Sequence, residues 1–144
     1  MPWYHVTFER HVPSILRHGL GARVVERNWP ECDDGVYLAK TPEFCLMLFI
    51  ERYAAEGDPD SVPRDYLATL RIVVIDDTRV DLRKLVRDAS YPDDDGVGRY
   101  LGVIDVTGMP VLDVDAITPP EYRPGGSEWA RMVDECMIPG TLAL

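Results

Sequence analysis

The order of short strand and helix patterns is the feature that limits the fold of this chain most strongly. Aromatic and β-branched side chains fill residues 3–8 and recur in residues 35–39, which predicts two strands. A helix pattern follows each strand, the first beginning at Pro13 and the second at Thr41-Pro42. The rest of the chain predicts mainly strands. This order favours an α+β domain with a mainly antiparallel sheet and a few helices over regular βαβ winding.

The second half of the chain supplies most of the expected strands. Residues 66–75 form the clearest strand pattern. Residues 99–106 and 110–114 predict two further strands, joined as a hairpin at Thr107-Gly108-Met109. Residues 135–138 predict a last strand near the end of the chain. No change of composition divides these segments into two units.

The composition predicts one ordinary globular domain that covers residues 1–144. Hydrophobic residues make up 46% of the chain and charged residues 28%, close to the average of globular proteins. The 25 acidic residues outnumber the 15 lysines and arginines, which gives a formal net charge of −10. Such a chain repels polyanions, so nucleic acid is not expected as a partner. One small phosphorylated ligand needs only one or two arginines and is compatible with this charge.

Cysteine usage and hydropathy indicate a cytoplasmic protein without a membrane segment. The three cysteines, Cys32, Cys45 and Cys136, are odd in number and irregularly spaced, which does not suit a disulfide framework. No Cys/His cluster has the spacing of a zinc site, so no metal is expected. The longest apolar run, residues 44–50, is far shorter than the ~18 residues that a membrane span needs.

Four short motifs occur in a defined order along the chain. A YHVT strand places His5 and Thr7 on one face, because side chains alternate along a strand with a period of two. Residues 15–20 (ILRHGL) form the end of a helix, and residues 35–39 (GVYLA) form a strand that leads into an apolar helix. Residues 134–140 (DECMIPG) place acidic side chains before an Ile-Pro pair.

In the order and spacing of these motifs, the chain resembles ADP-ribosyltransferase domains of the diphtheria-toxin-like and RNA 2′-phosphotransferase-like branches. The resemblance implies split, mainly antiparallel β-sheets and a few helices around a cleft for NAD⁺. It also implies mono-ADP-ribosyl transfer with cleavage of the nicotinamide–ribose bond. A protein acceptor is expected, because the acidic charge argues against a tRNA substrate. A small acidic domain of this type would suit a toxin or a phage-type effector.

The resemblance assigns roles to five residues of this sequence. His5 would hydrogen-bond the adenosine-side ribose with Thr7 in support, and Tyr37 would stack on the cationic nicotinamide ring. Glu135 would be the catalytic carboxylate, which bonds the nicotinamide-side ribose and stabilises the positive charge that develops there. Arg23 would contact the pyrophosphate.

Other interpretations of these positions stay open from the sequence. His5 and Tyr37 also fit purely structural roles in their strands. Glu128 competes with Glu135 for the role of the catalytic acid. No E-x-E pair ends at Glu135, so an arginine acceptor is not expected. His11 is expected at the surface of the first helix.

Two alternative functions compete with the transferase hypothesis. A non-catalytic protein could keep the same fold and block a basic or nucleic-acid-binding partner with an acidic surface. That surface would comprise Asp93–Asp95, Asp113 and Asp115. Modification of a nucleic acid is the other alternative, and it would require a local basic groove on this acidic chain.

Overall fold

The computed structural model describes residues 1–22, 35–47, 62–88 and 96–131. These residues contain six strands, three helices and a further helical segment at residues 129–131, with 3₁₀ turns between several of them. The strands are β1 (Trp3–Phe8), β2 (Val36–Ala39), β3 (Leu70–Ile75), β4 (Leu85–Val86), β5 (Val97–Tyr100) and β6 (Val111–Asp113). The helices are α1 (Val12–His18), α2 (described over residues 42–47) and α3 (Val114–Ile117).

The six strands form one antiparallel sheet in the order β4-β5-β2-β1-β3-β6. This confirms the α+β class and the mainly antiparallel sheet. The expectation of split sheets is wrong for the described strands, because β1 pairs with β2 on one side and with β3 on the other. None of the helices in the described part of the chain is long and apolar enough to span a membrane.

Both faces of the sheet are covered by apolar side chains. Val6 and Ile72 pack on one face with the fully buried Trp129. Trp3 and Ile15 belong to a second buried cluster, which covers the opposite face. Successive side chains of a strand point to opposite faces, so each of the central strands contributes to both clusters. Tyr4 and Val6, the neighbours of His5, point to the first face, so the His5 side chain points to the face of Trp3.

Local sequence explains where the first two helices begin and end. A proline occupies the first turn of α1, where its missing N–H costs no hydrogen bond. The Thr41 hydroxyl accepts a hydrogen bond of 3.2 Å from the Phe44 N–H, as expected of a residue that caps α2. The chain leaves α1 at Gly19 with φ +90°, and a Cβ there would lie 2.7 Å from Cγ1 of Val103. Glycine at this position therefore lets two segments approach closely.

The strand predicted over residues 66–75 is shorter in the structure. Residues Tyr66–Thr69 form a 3₁₀ turn, and β3 begins only at Leu70. The Thr69 hydroxyl donates to the Tyr66 carbonyl over 2.6 Å, and the Ala68 N–H donates to the Asp65 carbonyl over 3.1 Å. These local bonds compete with strand pairing and coil the segment.

The hairpin predicted from residues 99–106 and 110–114 is wrong. A turn does form, because the Met109 N–H donates to the Val106 carbonyl over 3.0 Å and Gly108 has φ +77°. It leads β6 to the far edge of β3, however, whereas β5 lies between β4 and β2. The turn residues fix where the chain reverses but not which strand it meets afterwards. The strand predicted over residues 135–138 lies outside the described residues.

Candidate functional site

The two sides of β1 are paired very differently. Six consecutive register pairs join β1 to β3, from Trp3↔Ile75 to Phe8↔Leu70. A single register pair, Tyr4↔Ala39, joins β1 to β2. No ladder pair joins the two described strands beyond that point. We call this stretch without register pairs, between residues 5–8 of β1 and residues 36–38 of β2, the β1–β2 gap.

The imidazole of His5 crosses the gap. Its Nδ1 lies 2.9 Å from the backbone carbonyl oxygen of Tyr37. A carbonyl oxygen can only accept a hydrogen bond, so Nδ1 carries the proton in this contact. Burial lowers the pKa of His5 most strongly, and the neighbouring His11 adds to the effect, while the bond to the Tyr37 carbonyl opposes it. At neutral pH the ring is therefore uncharged, and Nε2 is a hydrogen-bond acceptor.

A second side chain, that of Cys45 on α2, hydrogen-bonds backbone groups of β1 beside the gap. Its Sγ lies 3.6 Å from the Tyr4 carbonyl oxygen, to which the thiol donates. The backbone N–H of Val6 also hydrogen-bonds to this sulfur, while burial raises the pKa of the thiol to about 12. The protonated thiol thus hydrogen-bonds two backbone groups of β1, the Tyr4 carbonyl and the Val6 N–H.

Tyr37 and Thr7 lie on the two strands that border the gap. Tyr37 is half-buried in β2 and occupies the position between Leu38 and Val36, which belong to the cluster on the face of Trp3. Strand alternation therefore directs the Tyr37 ring to the face opposite the His5 ring. Thr7 is buried on the same face as His5, as predicted. A ligand that contacts both rings has to lie in the gap itself.

The other predicted site residues are not joined to this group in the described structure. Arg23 and Glu135 lie outside the described residues. Glu128 lies within them, and its carboxylate is 3.5 Å from the Arg131 guanidinium one helical turn later. In the parts of the chain that are described, no hydrogen bond or ion pair links Glu128 to His5. The described structure therefore brings together His5, Thr7 and Tyr37, and none of the hydrogen bonds or ion pairs between its described residues joins Glu128 to them.

His11 is a residue whose position the sequence did not reveal. It was expected at the surface, but only 4% of it is exposed, and its ring meets the edge of Phe8 at 5.9 Å between centroids. The cause is a 3₁₀ turn, Glu9–His11, which tightens the chain between β1 and α1. The turn brings His11 near enough to His5 to lower the pKa of His5. A period-two or helical reading of the sequence gives no signal for this placement.

The acidic residues proposed for a binding surface are largely used within the fold. The Asp113 carboxylate caps α3 by accepting the Asp115 N–H over 3.0 Å, and it lies 3.5 Å from the Arg71 guanidinium. The Asp115 carboxylate lies 3.1 Å from the Arg123 guanidinium. Residues 93–95 lie outside the described residues. The described part of that surface is therefore balanced by arginines rather than strongly acidic.

The chain matches no protein-family model, no curated protein and no solved structure. Among the residues that the structure describes, no group of three or more His, Cys, Asp or Glu side chains is arranged to hold a metal ion. A functional proposal therefore depends on the motifs of the chain and on the geometry around the β1–β2 gap.

Proposed function

We propose that this protein is an NAD-dependent mono-ADP-ribosyltransferase that binds NAD⁺ in the β1–β2 gap and transfers ADP-ribose to a protein. The observation that carries the proposal is the contact of 2.9 Å between His5 Nδ1 and the Tyr37 carbonyl, across the stretch where β1 and β2 have no register pair. The lowered pKa of His5 supports it, because it favours the uncharged ring. The resemblance in motif order supplies the reaction class. A cytoplasmic effector, such as a toxin or a phage protein, is the biological role that this size and charge suit.

The His5 ring is set up to accept a hydrogen bond from a sugar hydroxyl. Its Nδ1–H is engaged, and Nε2 has no hydrogen-bond partner among the described residues. A hydroxyl of an NAD⁺ ribose can donate a hydrogen bond to that nitrogen, whereas an ionised phosphate or carboxylate has no proton to donate. Thr7, buried on the same face one strand period later, would hold the ring in place.

Tyr37 would contribute from the other border of the gap. A cationic nicotinamide ring is attracted to the face of an aromatic side chain, with a gain of ~0.5–2 kcal/mol. Because the His5 imidazole itself crosses the gap, the dinucleotide would lie along the border of the gap, where Tyr37 and His5 would contact different parts of it. This arrangement fixes the conformation of the ribose between them, and positioning of that kind is a major source of catalysis.

The reaction itself breaks the bond between nicotinamide and C1′ of its ribose. Nicotinamide leaves with the bonding electron pair, positive charge develops on the ribose, and a nucleophile of the acceptor protein attacks C1′ and loses its proton. Glu135 would stabilise that positive charge by bonding the adjacent ribose hydroxyl, and Arg23 would bind the pyrophosphate. Both of these assignments come from the resemblance.

The acidic interaction hypothesis receives less support. Asp113 and Asp115, two of the residues it needs, have arginine partners in the same chain. A surface whose carboxylates are already paired attracts a basic partner weakly. We therefore place the transferase hypothesis first.

The test is release of nicotinamide from NAD⁺ by the purified protein, alone and with a host lysate. Glu135→Gln and Glu128→Gln form a matched pair, because each removes one negative charge and keeps the side-chain shape. We expect Glu135→Gln to lower release at least ~100-fold and Glu128→Gln to leave it nearly unchanged. Label transferred from NAD⁺ to a lysate protein would identify the acceptor.

His5→Asn separates a binding role from a structural one. The Asn amide N–H can still donate to the Tyr37 carbonyl, but no acceptor remains at the position of Nε2. We expect folding to be retained and NAD⁺ affinity, measured by calorimetry, to fall ~10-fold. Unchanged affinity, or the absence of both NAD⁺ binding and nicotinamide release in the wild-type protein, would contradict the proposal.

A further inference from the structure

Most of the large apolar side chains that the described structure leaves in contact with solvent lie on three segments that backbone hydrogen bonds join. Apart from the N-terminal Met1, the strongly exposed members are Leu82 (70%), Val103 (53%), Leu101 (45%) and Leu16 (38%). They come from three separate segments of the chain: the last turn of α1, the 3₁₀ turn before β4, and the loop after β5. We call these four side chains the apolar end patch.

Backbone contacts hold the three segments together. The Leu101 N–H donates to the Lys84 carbonyl over 2.8 Å, which fixes the loop after β5 to the 3₁₀ turn that carries Leu82. Leu20 and Ile104 exchange two backbone bonds of 2.9 Å, which fix the other end of the same loop to the end of α1. The patch is therefore built on a fixed backbone rather than on independent loops.

Glycines keep this junction tight. A Cβ at Gly19 would lie 2.9 Å from the Ile104 carbonyl oxygen, and a Cβ at Gly21 would collide with the Gly102 carbonyl oxygen. Both glycines have positive φ, near +90° and +85°. This close packing brings the Val103 side chain beside the end of α1, in the turn that follows Leu16.

The charges around the patch are positive, in contrast to the chain as a whole. Arg17 and Lys84 make no ion pair with the described residues, and the Lys84 side chain lies over Gly102. The acidic group nearest to Leu82 in sequence, Asp81, is neutralised by two bonds of 3.0 Å from Arg83. Lys84 also helps to lower the pKa of Asp81, but neither Arg17 nor Lys84 has an ion-pair partner within the part of the chain that the structure describes. These cations belong to a protein of net charge −10.

We propose that the apolar end patch is a docking surface for a protein segment that carries both acidic and apolar side chains. Burial of the four side chains supplies affinity, and Arg17 and Lys84 select the acidic charges. A symmetric contact with a second copy would place these cations against one another, which disfavours self-association. An anionic membrane or a nucleic acid extends over much of the protein surface and would be repelled by its net negative charge. A short segment interacts only with the charges within one Debye length of about 8 Å.

The experiment uses three synthetic amphipathic peptides as probes: one of Glu and Leu, one of Lys and Leu, and one of Glu and Ser. Binding to the full-length protein is measured by fluorescence anisotropy and located by amide NMR shifts. We expect only the Glu/Leu peptide to bind well, with the shifts centred on residues 16–20, 82–84 and 101–104. Failure of this peptide to bind, or shifts centred elsewhere, would overturn the proposal.

Matched variants test the two components of the surface. Lys84→Glu reverses one charge in the patch, and Arg64→Glu reverses an exposed charge beside Gly125, away from the patch. We expect Lys84→Glu to weaken Glu/Leu peptide binding ~10-fold and Arg64→Glu to change it little. Leu101→Ser and Val103→Ser should weaken it by a similar factor without changing the melting temperature, since both side chains are exposed.

Three further measurements distinguish the other occupants. A dimer in sedimentation that Val103→Ser abolishes would overturn the proposal in favour of a second copy of the chain. Binding to phosphatidylserine-containing vesicles or to single-stranded DNA, with loss in Lys84→Glu, would overturn it in favour of those surfaces. None of these outcomes depends on NAD⁺, so the docking surface and the proposed transferase activity stand or fall separately.

Discussion

The two sides of β1 differ in what holds them closed, and this difference organises the molecule. Toward β3, six register pairs of backbone close the sheet, and apolar side chains on both faces, such as Trp3, Val6 and Ile72, are buried. Toward β2, one register pair is followed by an opening that side chains cross. His5 and Cys45 satisfy backbone groups there that a neighbouring strand would otherwise satisfy.

The comparison offers a physical reason why the residues proposed to bind NAD⁺ border the β1–β2 gap. A complete backbone ladder has no room for a ligand, because its donors and acceptors are used by the strands themselves. An opening whose polar groups are satisfied by side chains keeps the fold intact and exposes a border that a ligand can reach. We therefore expect the β1–β3 side to contribute most of the stability, and the β1–β2 side to carry the groups proposed to bind NAD⁺.

The largest expected effect comes from the ladder side. Ile72→Ala removes a fully buried side chain from β3 and leaves a cavity in the core. We expect the free energy of unfolding to fall by ~2–5 kcal/mol, measured by urea denaturation. The NMR titration of His5 should stay unchanged, because Ile72 lies on the opposite face of the sheet from the imidazole. A loss below ~1 kcal/mol would mean that the ladder side is not the main source of stability.

The second effect tests the gap side through Cys45. Cys45→Ala leaves the Tyr4 carbonyl and the Val6 N–H without their sulfur partner, which we expect to cost ~1–3 kcal/mol. Cys45→Ser keeps a donor and an acceptor at the site and should recover part of the loss. Unlike Ile72→Ala, Cys45→Ala should also move the NMR titration of His5. Equal stability of all three proteins would contradict a bridging role for the thiol.

Thiol chemistry provides an independent check on the same residue. In a Cys32→Ser/Cys136→Ser background, only Cys45 can react with a disulfide reagent. Because burial raises its pKa to about 12, the thiolate fraction at pH 8 is about 10⁻⁴ in the native protein. We expect the reaction to be slow in buffer and fast in urea. Fast reaction of the native protein would show that the gap is open enough to expose the sulfur.

These contrasts also show which parts of the structure sequence reasoning could reach. The β1 strand, the shared face of His5 and Thr7, and the cap of α2 at Thr41 are local features, and the structure confirms them. They follow from side-chain period and from hydrogen bonds between residues close in sequence. The proposed roles of these residues toward NAD⁺ stay predictions.

Features that depend on which strands become neighbours could not be predicted from the sequence. The turn near Gly108 was recognised, but its partner strand was not, because turn chemistry does not specify sheet order. The β1–β2 gap has the same origin. It exists because β2 meets β1 at one pair only, and the role of Cys45 follows from that meeting. No residue type or spacing encodes such a relation directly.

The third prediction uses pH to separate the two sides. The pKa of His5 is lowered in the folded protein, so below its usual value of about 6.5 the unfolded chain binds a proton that the folded chain resists. Stability should therefore fall as the pH drops from about 6.5 toward the folded pKa. His5→Asn should flatten this part of the stability profile. The profile of Ile72→Ala should run parallel to that of the wild type.

The control for that profile lies at lower pH. Hydrogen bonds from the Thr78 backbone and side chain lower the pKa of Asp76, and Arg83 lowers the pKa of Asp81 in the same way. These carboxylates contribute stability above about pH 3.8, which is lost only when the pH falls through their folded pKa values. A His5→Asn profile that still declines between pH 6.5 and 5 would assign that decline to another group.

The smallest expected effect is an ion pair at the end of the ladder. The Arg71 guanidinium on β3 lies 3.3 Å from the Glu9 carboxylate, just beyond β1, and also donates to the carbonyls of Ala68 and Leu70. Glu9 is exposed, so we expect Glu9→Gln to cost only ~0.2–1 kcal/mol, and less in high salt. Urea denaturation at low and high ionic strength measures both. A cost near that of Ile72→Ala would mean that charge, rather than backbone pairing and burial, holds β1 to β3, and the contrast between the two sides of β1 would lose its physical basis.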